Sequence, residues 1–251
     1  MGDPAVSAVL AVVHASTVER PTPRVELFPT SPQRCAVCHR RVTGGETRCR
    51  NPLCASASRW FHWGVAIAER GGGLERALNA YKYGGACSWA PVFGRMLAGF
   101  LLSRRSLFGP FDIVTASPTF IGQGGRDFDH TRGILLEAAR QLPASVSPSF
   151  DTGPIPAILK TAPTPRLAGL SHQERRRVAE ELLRPALRVP DPRRTTGRRV
   201  LVFDDVFTDG RTLNEVARAL RLQGGAREVC GLALCRQPWR LPAPRQDILP
   251  E

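Results

Sequence analysis

Residues 200–212 read Val-Leu-Val-Phe-Asp-Asp-Val-Phe-Thr-Asp-Gly-Arg-Thr, and this stretch decides the fold class. Its apolar first part, residues 200–203, predicts a buried strand that ends at Asp204 and Asp205. The turn that follows carries hydroxyl groups and a glycine, and it opens a predicted helix over residues 212–222. A strand, a polar turn and a helix in this order are typical of parallel α/β sheets, whose ligands bind beyond the carboxyl ends of the strands.

Further apolar runs alternate with helical patterns along the rest of the chain. Additional strands are predicted at residues 112–116, 156–159 and 229–234. Helices between the strands are predicted at residues 131–141 and 171–187, after a lead-in of two helices at residues 74–81 and 89–102. This alternation predicts an α/β fold in which helices flank a parallel sheet.

The composition is that of a folded protein with two units. Hydrophobic residues make up 42% of the 251 residues and charged residues 23%, which is ordinary for a chain that buries a core. The longest apolar stretch near the start, residues 5–13, is interrupted by Ser7, follows Asp3 and has no basic leader. It predicts neither a membrane span nor a signal peptide, and we expect a cytoplasmic protein. The oligomeric state stays open, a homo-oligomer included.

The positive charge points to an anionic partner. The formal net charge is +13, and all but Lys82 and Lys160 of the 35 basic residues are arginines. Nine of them fall within residues 175–199. The arginine fork suits phosphate, so nucleic acid, a nucleotide or a sugar phosphate are all compatible with this charge. The alternative is a solvated basic surface without a specific partner.

A cysteine cluster marks a separate small module. Cys35, Cys38, Cys49 and Cys54 have the spacing C-x2-C-x10-C-x4-C in a segment with few large apolar residues. Two short pairs can close a tetrahedron around Zn²⁺, and four protein ligands make such a site structural rather than catalytic. His39 is an alternative ligand in place of one thiolate.

The predicted organisation has four parts. It comprises a loosely ordered arm at residues 1–31, a zinc module at 32–60, a main domain at 61–240 and a tail at 241–251. The aromatic group at residues 60–63, Trp-Phe-His-Trp, fits a packed joint between module and domain. Stacking of these rings on nucleic-acid bases is the alternative interpretation.

From the residues alone, Asp204 and Asp205 have two interpretations. They can accept hydrogen bonds from sugar hydroxyls or hold Mg²⁺ by way of water, beside a helix start that offers N–H groups to phosphate. They can equally be an ordinary helix cap. A Walker phosphate loop is excluded because the chain has no G-x-x-x-x-G-K-[ST] sequence.

Residues 203–212 also resemble the phosphoribosyl-diphosphate motif of type I phosphoribosyltransferases, an acidic pair followed by Thr-Thr-Gly-x-Thr. The resemblance implies that Asp204 and Asp205 bind the ribose 2- and 3-hydroxyls and Mg²⁺. It implies a 5-phosphate surrounded by Thr208, Asp209, Gly210, Arg211 and Thr212. Asp209 departs from the motif, which has a small hydroxyl residue there; if its carboxylate points to solvent, backbone binding of the phosphate survives.

A wider resemblance, over residues 35–236, is to the ComF-like, competence-associated branch of that family, which places a four-cysteine zinc module before this fold. Residues 81–85, Tyr-Lys-Tyr-Gly-Gly, resemble its Lys-Tyr-x-Gly element, and residues 112–118 its pyrophosphate strand and loop. Residues 126–129, Arg-Asp-Phe-Asp, stand where the branch has Arg-Gly-Phe-Asn. Asp127 and Asp129 are therefore departures from the pattern.

The same resemblance makes Arg126 and Lys82 candidates for binding pyrophosphate. Without it, Arg126 is a surface loop residue, and Lys82 ends a helix with its stem packed and its amine in solvent. Thr164 and Gln173 fall where the family has a mobile catalytic hood.

The family resemblance implies a glycosyltransferase that moves a phosphoribosyl group from phosphoribosyl diphosphate to an amine or base and releases pyrophosphate. The acceptor and the catalytic residues stay unassigned. The alternative is a non-catalytic accessory protein of DNA uptake or processing that holds single-stranded DNA on the zinc module and the basic surface.

Overall fold

The computed structural model describes residues 34–42, 49–143, 148–165, 167 and 169–238. The predicted arm at residues 1–31 and the predicted tail at 241–251 lie outside these ranges. Among the described residues, no helix is both long enough and apolar enough to cross a bilayer.

The strands form one large and one small sheet. Those of the described residues are β1 (Gly64–Glu69), β2 (Ile113–Ala116), β3 (Ser149–Phe150), β4 (Leu159–Lys160), β5 (Leu187–Arg188), β6 (Arg199–Phe207) and β7 (Glu228–Arg236). The large sheet has the order β1-β7-β6-β2-β3, and every pair in it is parallel. β4 and β5 pair antiparallel outside it.

Helices pack on both faces of the large sheet. Those of the described residues are α1 (Pro52–Ala55), α2 (Gly72–Tyr83), α3 (Trp89–Ser103), α4 (Arg105–Phe108), α5 (His130–Gln141), α6 (His172–Arg177), α7 (Arg184–Ala186) and α8 (Arg211–Leu222). A π-helical segment, Val178–Leu183, joins α6 to α7, and a 3₁₀ turn spans Pro192–Arg194.

The alternation of side chains along β6 builds two cores. Leu201 and Phe203 point to the face covered by α2, α3 and α5, whereas Val200 and Val202 point to the face covered by α8. All four side chains are buried, at 0–1% exposure. Burial on both faces explains why the strand is continuously apolar.

The predicted α/β class with a parallel sheet and flanking helices is confirmed. Strands at 112–116, 200–203 and 229–234 are present, and β6 is longer than predicted because it continues through the acidic pair to Phe207. The lead-in helices and those at 131–141 and 212–222 are also present within two residues of their predicted ends. The helix predicted at 171–187 is divided among α6, the π-helical segment and α7.

The strand predicted at residues 156–159 is wrong. Only Leu159 and Lys160 are extended, and they pair with β5 outside the large sheet. The edge position beside β2 belongs to β3 instead. Asp151, directly after β3, holds residues 156–159 away from the sheet edge. Its Oδ2 accepts the backbone N–H of Ala157 at 2.7 Å. The buried run thus fills space beside the sheet without joining it.

The direction of chain growth reverses between β2 and β6. From β2 the chain moves outward to β3, then returns to the other side of β2 to build β6 and β7. Helix N-termini and strand ends diverge at such a reversal and leave a crevice at the carboxyl ends of the strands.

Candidate functional site

A cavity of about 530 Å³ lies at this crevice. Ser117, directly after β2, lines one side, and Asp204 and Asp205 near the end of β6 line another. Thr208 and Thr212, from the turn before α8, complete that wall. The structure therefore gathers the predicted acidic pair and both threonines of the predicted turn around one cavity.

Asp205 is buried and paired with two basic side chains. Its Oδ2 contacts Nζ of Lys82 and lies 2.7 Å from Nε2 of His130. Burial acts to raise the pKa of Asp205, but the charges and hydrogen bonds of Lys82 and His130 outweigh it and hold that pKa well below its usual range. Asp205 is therefore an anion locked between two basic groups.

Asp204 has the opposite electrostatic environment. Burial, followed by the negative charge of Asp205, raises the pKa of Asp204 to about 7. One of its oxygens accepts the backbone N–H of Asp205 at 2.9 Å. Near neutral pH the pair therefore carries between one and two negative charges, and a cation or a hydroxyl-bearing ligand beside Asp204 changes which form prevails.

The 208–212 turn is shaped for an anion. Gly210 has φ 87°, a left-handed conformation that glycine adopts without strain, and it precedes the first residue of α8. Within the described part of the chain, the backbone N–H groups of Thr208, Asp209 and Gly210 donate to no acceptor. Free N–H groups at the start of a 12-residue helix, with its positive dipole end, favour a phosphate or carboxylate here.

Asp209 does not face the anion position. The residue is only 6% exposed, and it does not line the cavity, so its carboxylate faces neither solvent nor the ligand position. It lies 3.6 Å from Nη1 of Arg175 on α6 and 3.7 Å from Nε of Arg211, while its Oδ1 accepts the N–H of Arg211 at 3.2 Å. Asp209 thus joins the turn to α6, and its charge is balanced by arginines.

Lys82 and Arg126, the two candidates for binding pyrophosphate, both line the cavity, but they have different partners. The amine of Lys82 is committed to Asp205. Arg126 donates to the carbonyl oxygen of Lys82 at 3.1 Å, and its guanidinium lies 4.8 Å from the ring centre of Tyr83. Of the two, only Arg126 lacks a carboxylate partner among the described residues.

Asp127 and Asp129, the two departures from the ComF-like pattern, directly follow the cavity residue Arg126 in the sequence. Asp127 is exposed, and neither residue lines the cavity. Asp129 caps α5, where its side chain accepts the N–H of Arg132 at 3.0 Å. Burial raises the pKa of Asp129. The change at Asp129 therefore has a local structural role as a helix cap.

Of the two predicted hood residues, Thr164 and Gln173, only Thr164 lies at the cavity. Thr164 lines the cavity and accepts a hydrogen bond from Nζ of Lys160 at 2.6 Å. Gln173 is exposed on α6 and lies outside the cavity. Neighbouring His172 hydrogen-bonds to Nη2 of Arg211 at 2.8 Å, so α6 is held close to the turn.

The cavity residues that sequence reasoning missed include His130 and Lys160. His130 is the first residue of α5, one position before the predicted helix start, and its partner Asp205 is 75 positions away. Lys160 directly follows the segment, residues 156–159, that was wrongly assigned to the large sheet. Burial, and then the positive charge of Arg126, lowers the pKa of Lys160. The one sequence signal that could have pointed to Lys160 is that the chain contains only two lysines.

The four predicted metal ligands come together. The sulfur atoms of Cys35, Cys38, Cys49 and Cys54 lie within 4.8 Å of one another, and those of Cys38 and Cys49 are 3.7 Å apart. Sulfurs around a tetrahedral Zn²⁺ with bonds of about 2.3 Å would be about 3.8 Å apart. The cluster can therefore hold one zinc ion with four sulfur ligands, and His39 is not part of it.

The thiols of this cluster compete for protons. Hydrogen bonds from Cys38, Cys49 and Cys54 lower the pKa of Cys35 below its usual range, while the hydrogen bond to Cys35 raises that of Cys54. Four adjacent thiolates would repel one another strongly, so a fully deprotonated cluster requires a cation. The donor set therefore fits Zn²⁺.

The aromatic group at 60–63 mostly packs the joint, as favoured from the sequence. Phe61 is 2% exposed and belongs to the core cluster that contains Cys38. Trp63 meets the rings of Phe108 and Phe111 edge-on, at 6.2 and 5.7 Å.

Comparison with known proteins leaves the family open. No protein-family model matches this chain, and no curated protein shows significant similarity to it. The functional assignment therefore rests on the geometry of the cavity and of the cysteine cluster.

Proposed function

We propose that the cavity binds phosphoribosyl diphosphate and that the main domain is a type I phosphoribosyltransferase of the ComF-like branch. The observation that carries the proposal is one wall of the cavity. Along it, an acidic pair and a helix-opening turn with free N–H groups lie together at the reversal point of a parallel sheet. Ribose hydroxyls fit the carboxylates, and a 5-phosphate fits the turn.

Asp204 and Asp205 are also the residues that would hold Mg²⁺. Carboxylate oxygens are its preferred protein ligands, and both contacts of Asp205 to basic groups fall on Oδ2. When bound with its ligand, Mg²⁺ would supply positive charge at the diphosphate. The raised pKa of Asp204 supports a site completed by an incoming cation, because added positive charge would favour ionisation of that carboxyl.

The chemistry proposed is displacement of pyrophosphate from the anomeric carbon of the ribose by an amine or base. The carbon–oxygen bond to pyrophosphate breaks and its electron pair leaves with pyrophosphate. A carbon–nitrogen bond forms, and the acceptor nitrogen gives up a proton to solvent. Arg126 and Lys160 line the cavity without a carboxylate partner among the described residues, so both are placed to stabilise the leaving diphosphate. The acceptor would enter beside Thr164.

We further propose that the cysteine cluster holds one structural zinc ion. The weak apolar content of this segment and its four convergent sulfurs support that role. A zinc module in front of a phosphoribosyltransferase-like domain is the arrangement that the ComF-like resemblance implies.

Replacing Asp205 by asparagine is expected to weaken binding of Mg²⁺-phosphoribosyl diphosphate by about tenfold to hundredfold. A hydrogen bond to a charged group contributes roughly 1.5–3 kcal/mol, and the variant loses both that contact and the anion that positions Lys82 and His130. Titration calorimetry on folded, zinc-loaded protein gives the two dissociation constants.

Asp191→Asn is the matched control, since it makes the same chemical change at a carboxylate that does not line the cavity. It should bind like the wild type. Absence of heat for the wild type at millimolar ligand would refute the proposed function and leave the fold as a scaffold.

Binding of single-stranded DNA is the second candidate, and the surroundings of Trp60 favour it. This ring is only partly buried, and the guanidinium groups of Arg218 and Arg221 lie 5.9 and 5.8 Å from its centre. Aromatic faces beside arginines are the usual components of single-strand grooves.

The arginine-rich segment 175–199 supports DNA binding less than its sequence suggested. Seven of its nine arginines contact carboxylates, and Arg188 and Arg198 are the two for which the described residues show no such contact. Exposed pairs such as Arg177 with Glu181 are weak, so phosphates can still compete for them.

If single-stranded DNA binds, its affinity should fall steeply with salt and depend little on sequence. Each phosphate contact adds about 0.7 to the slope of log affinity against log salt, so Arg218→Gln with Arg221→Gln should reduce the slope by about 1.4. Fluorescence anisotropy between low and high salt measures it. A salt-insensitive, sequence-selective complex would contradict this prediction.

A further inference from the structure

The four-cysteine segment contacts the 208–212 turn through the carbonyl oxygens of that turn. Asn51 is 3% exposed, and its Nδ2 donates to the carbonyl oxygen of Asp209 at 2.8 Å. Arg40 donates through Nη2 to the carbonyl oxygen of Thr208 at 3.4 Å. Two successive peptide groups of the turn are thus held from the cysteine side.

Asn51 links this turn to the cysteine cluster itself. Its Oδ1 accepts the N–H of Leu53 at 3.1 Å and so caps α1, the short helix that contains Cys54. One buried amide therefore fixes the helix of a metal ligand with its oxygen and the 208–212 turn with its nitrogen.

These contacts determine where the free N–H groups of the turn point. In a trans peptide, the carbonyl of one residue and the N–H of the next point in opposite directions. Holding the carbonyls of Thr208 and Asp209 toward the cysteine segment directs the N–H groups of Asp209 and Gly210 away from it. These are two of the N–H groups without an acceptor in the described structure.

Phe61, which directly follows the predicted zinc module, makes a third contact with the turn. A Cβ added at Gly210 would lie 3.2 Å from the Phe61 ring, which is closer than most real Cβ contacts. The buried ring thus packs against the glycine that gives the turn its left-handed bend. The backbone of Trp60 adds a fourth contact, because its N–H donates to Oδ1 of Asn214 in the first turn of α8 at 2.9 Å.

We propose that Asn51 is a positioning residue for anion binding, and that metal binding at the four cysteines is energetically coupled to ligand binding at the 208–212 turn. The identity of the ligand rests on the function proposed above. The contacts of Asn51 are the structural link through which the two sites would be coupled. Loss of metal frees α1, then Asn51, and the turn loses the hydrogen bond that orients its N–H groups.

Two substitutions separate this role from simple support of the module. Asn51→Asp and Asn51→Ser both keep an oxygen that can cap α1, and both remove the amide donor to Asp209. We expect each variant to retain the zinc content of the wild type. Each should bind phosphoribosyl diphosphate about tenfold more weakly, the loss expected for one hydrogen bond to the turn. Hydrogen exchange in peptides that cover the turn should become faster.

Ser56→Ala is the control, because Ser56 caps the other end of the same helix and its hydroxyl bonds to Ser58 and not to the turn. It should change neither affinity nor exchange. Chelation of zinc from the wild type should accelerate exchange at the turn in the same way as the Asn51 variants. If exchange at the turn is unchanged in both Asn51 variants, the coupling is wrong, whether or not the ligand binds. If the wild type binds no phosphoribosyl diphosphate, the proposed function is wrong. Hydrogen exchange at the turn, after chelation and in the Asn51 variants, then still tests whether the cysteine cluster and the turn are coupled.

Discussion

Replacing Cys35 and Cys38 together by serine is expected to abolish stoichiometric zinc binding and to unfold the cysteine module. Structural zinc contributes on the order of 10 kcal/mol or more to the folding of comparable peptides. The module has little core of its own, and its buried residues Cys38 and Leu53 belong to the core cluster on the α8 face of the sheet. Metal analysis and limited proteolysis of the purified variant measure the two effects.

Cys87→Ser is the appropriate control, since Cys87 is exposed and lies outside the cluster. It should retain one zinc ion per chain and the proteolytic pattern of the wild type. A wild-type protein prepared without chelator that contains almost no zinc would refute the zinc proposal. Full retention of zinc by the double-serine variant would refute the assignment of these ligands.

The fold was largely predictable where the hydrophobic pattern is long. The runs around β2, β6 and β7 are continuous because these strands lie inside the sheet, with neighbours on both sides. The edge strands were missed: β3 has two residues, too few for a period, and β1 follows an aromatic group that obscures its start. Residues 156–159 were misassigned because burial alone does not distinguish a strand from a packed loop.

The site was predictable only where its residues are contiguous. The acidic pair, the glycine turn and the cysteine spacing can each be read from a short stretch of sequence. Contacts such as Asp205 with His130, Asp209 with Arg175 and Asn51 with the turn join residues 34 to 158 positions apart. Such pairs result from tertiary packing, which a single sequence does not encode as a local pattern.

Asp204 should make this protein less stable as the pH rises from about 4 to about 7. The folded pKa of Asp204, about 7, is above the ordinary carboxyl value of about 3.9, so the folded protein holds this proton more tightly than the unfolded chain. The free energy of unfolding therefore falls as the pH rises from about 4 to about 7 and stays lower above that range. Asp205, whose pKa is depressed, acts oppositely: its contribution is present above about pH 4 and is lost on acidification.

Asp204→Asn should consequently stabilise the protein at pH 8, by on the order of 2 kcal/mol, and have little effect at pH 5, where the wild-type carboxyl is protonated. An asparagine oxygen can still accept the N–H of Asp205, so the local geometry survives. Urea unfolding at both pH values measures the difference, with Asp127→Asn, at an exposed carboxylate, as the control. The same Asp204 variant should bind phosphoribosyl diphosphate more weakly. The buried carboxylate that lowers the stability of the free protein is also the group proposed to bind the ribose and Mg²⁺. Parallel pH profiles for wild type and variant would show that Asp204 is ionised throughout and that the charge balance described for the pair is wrong.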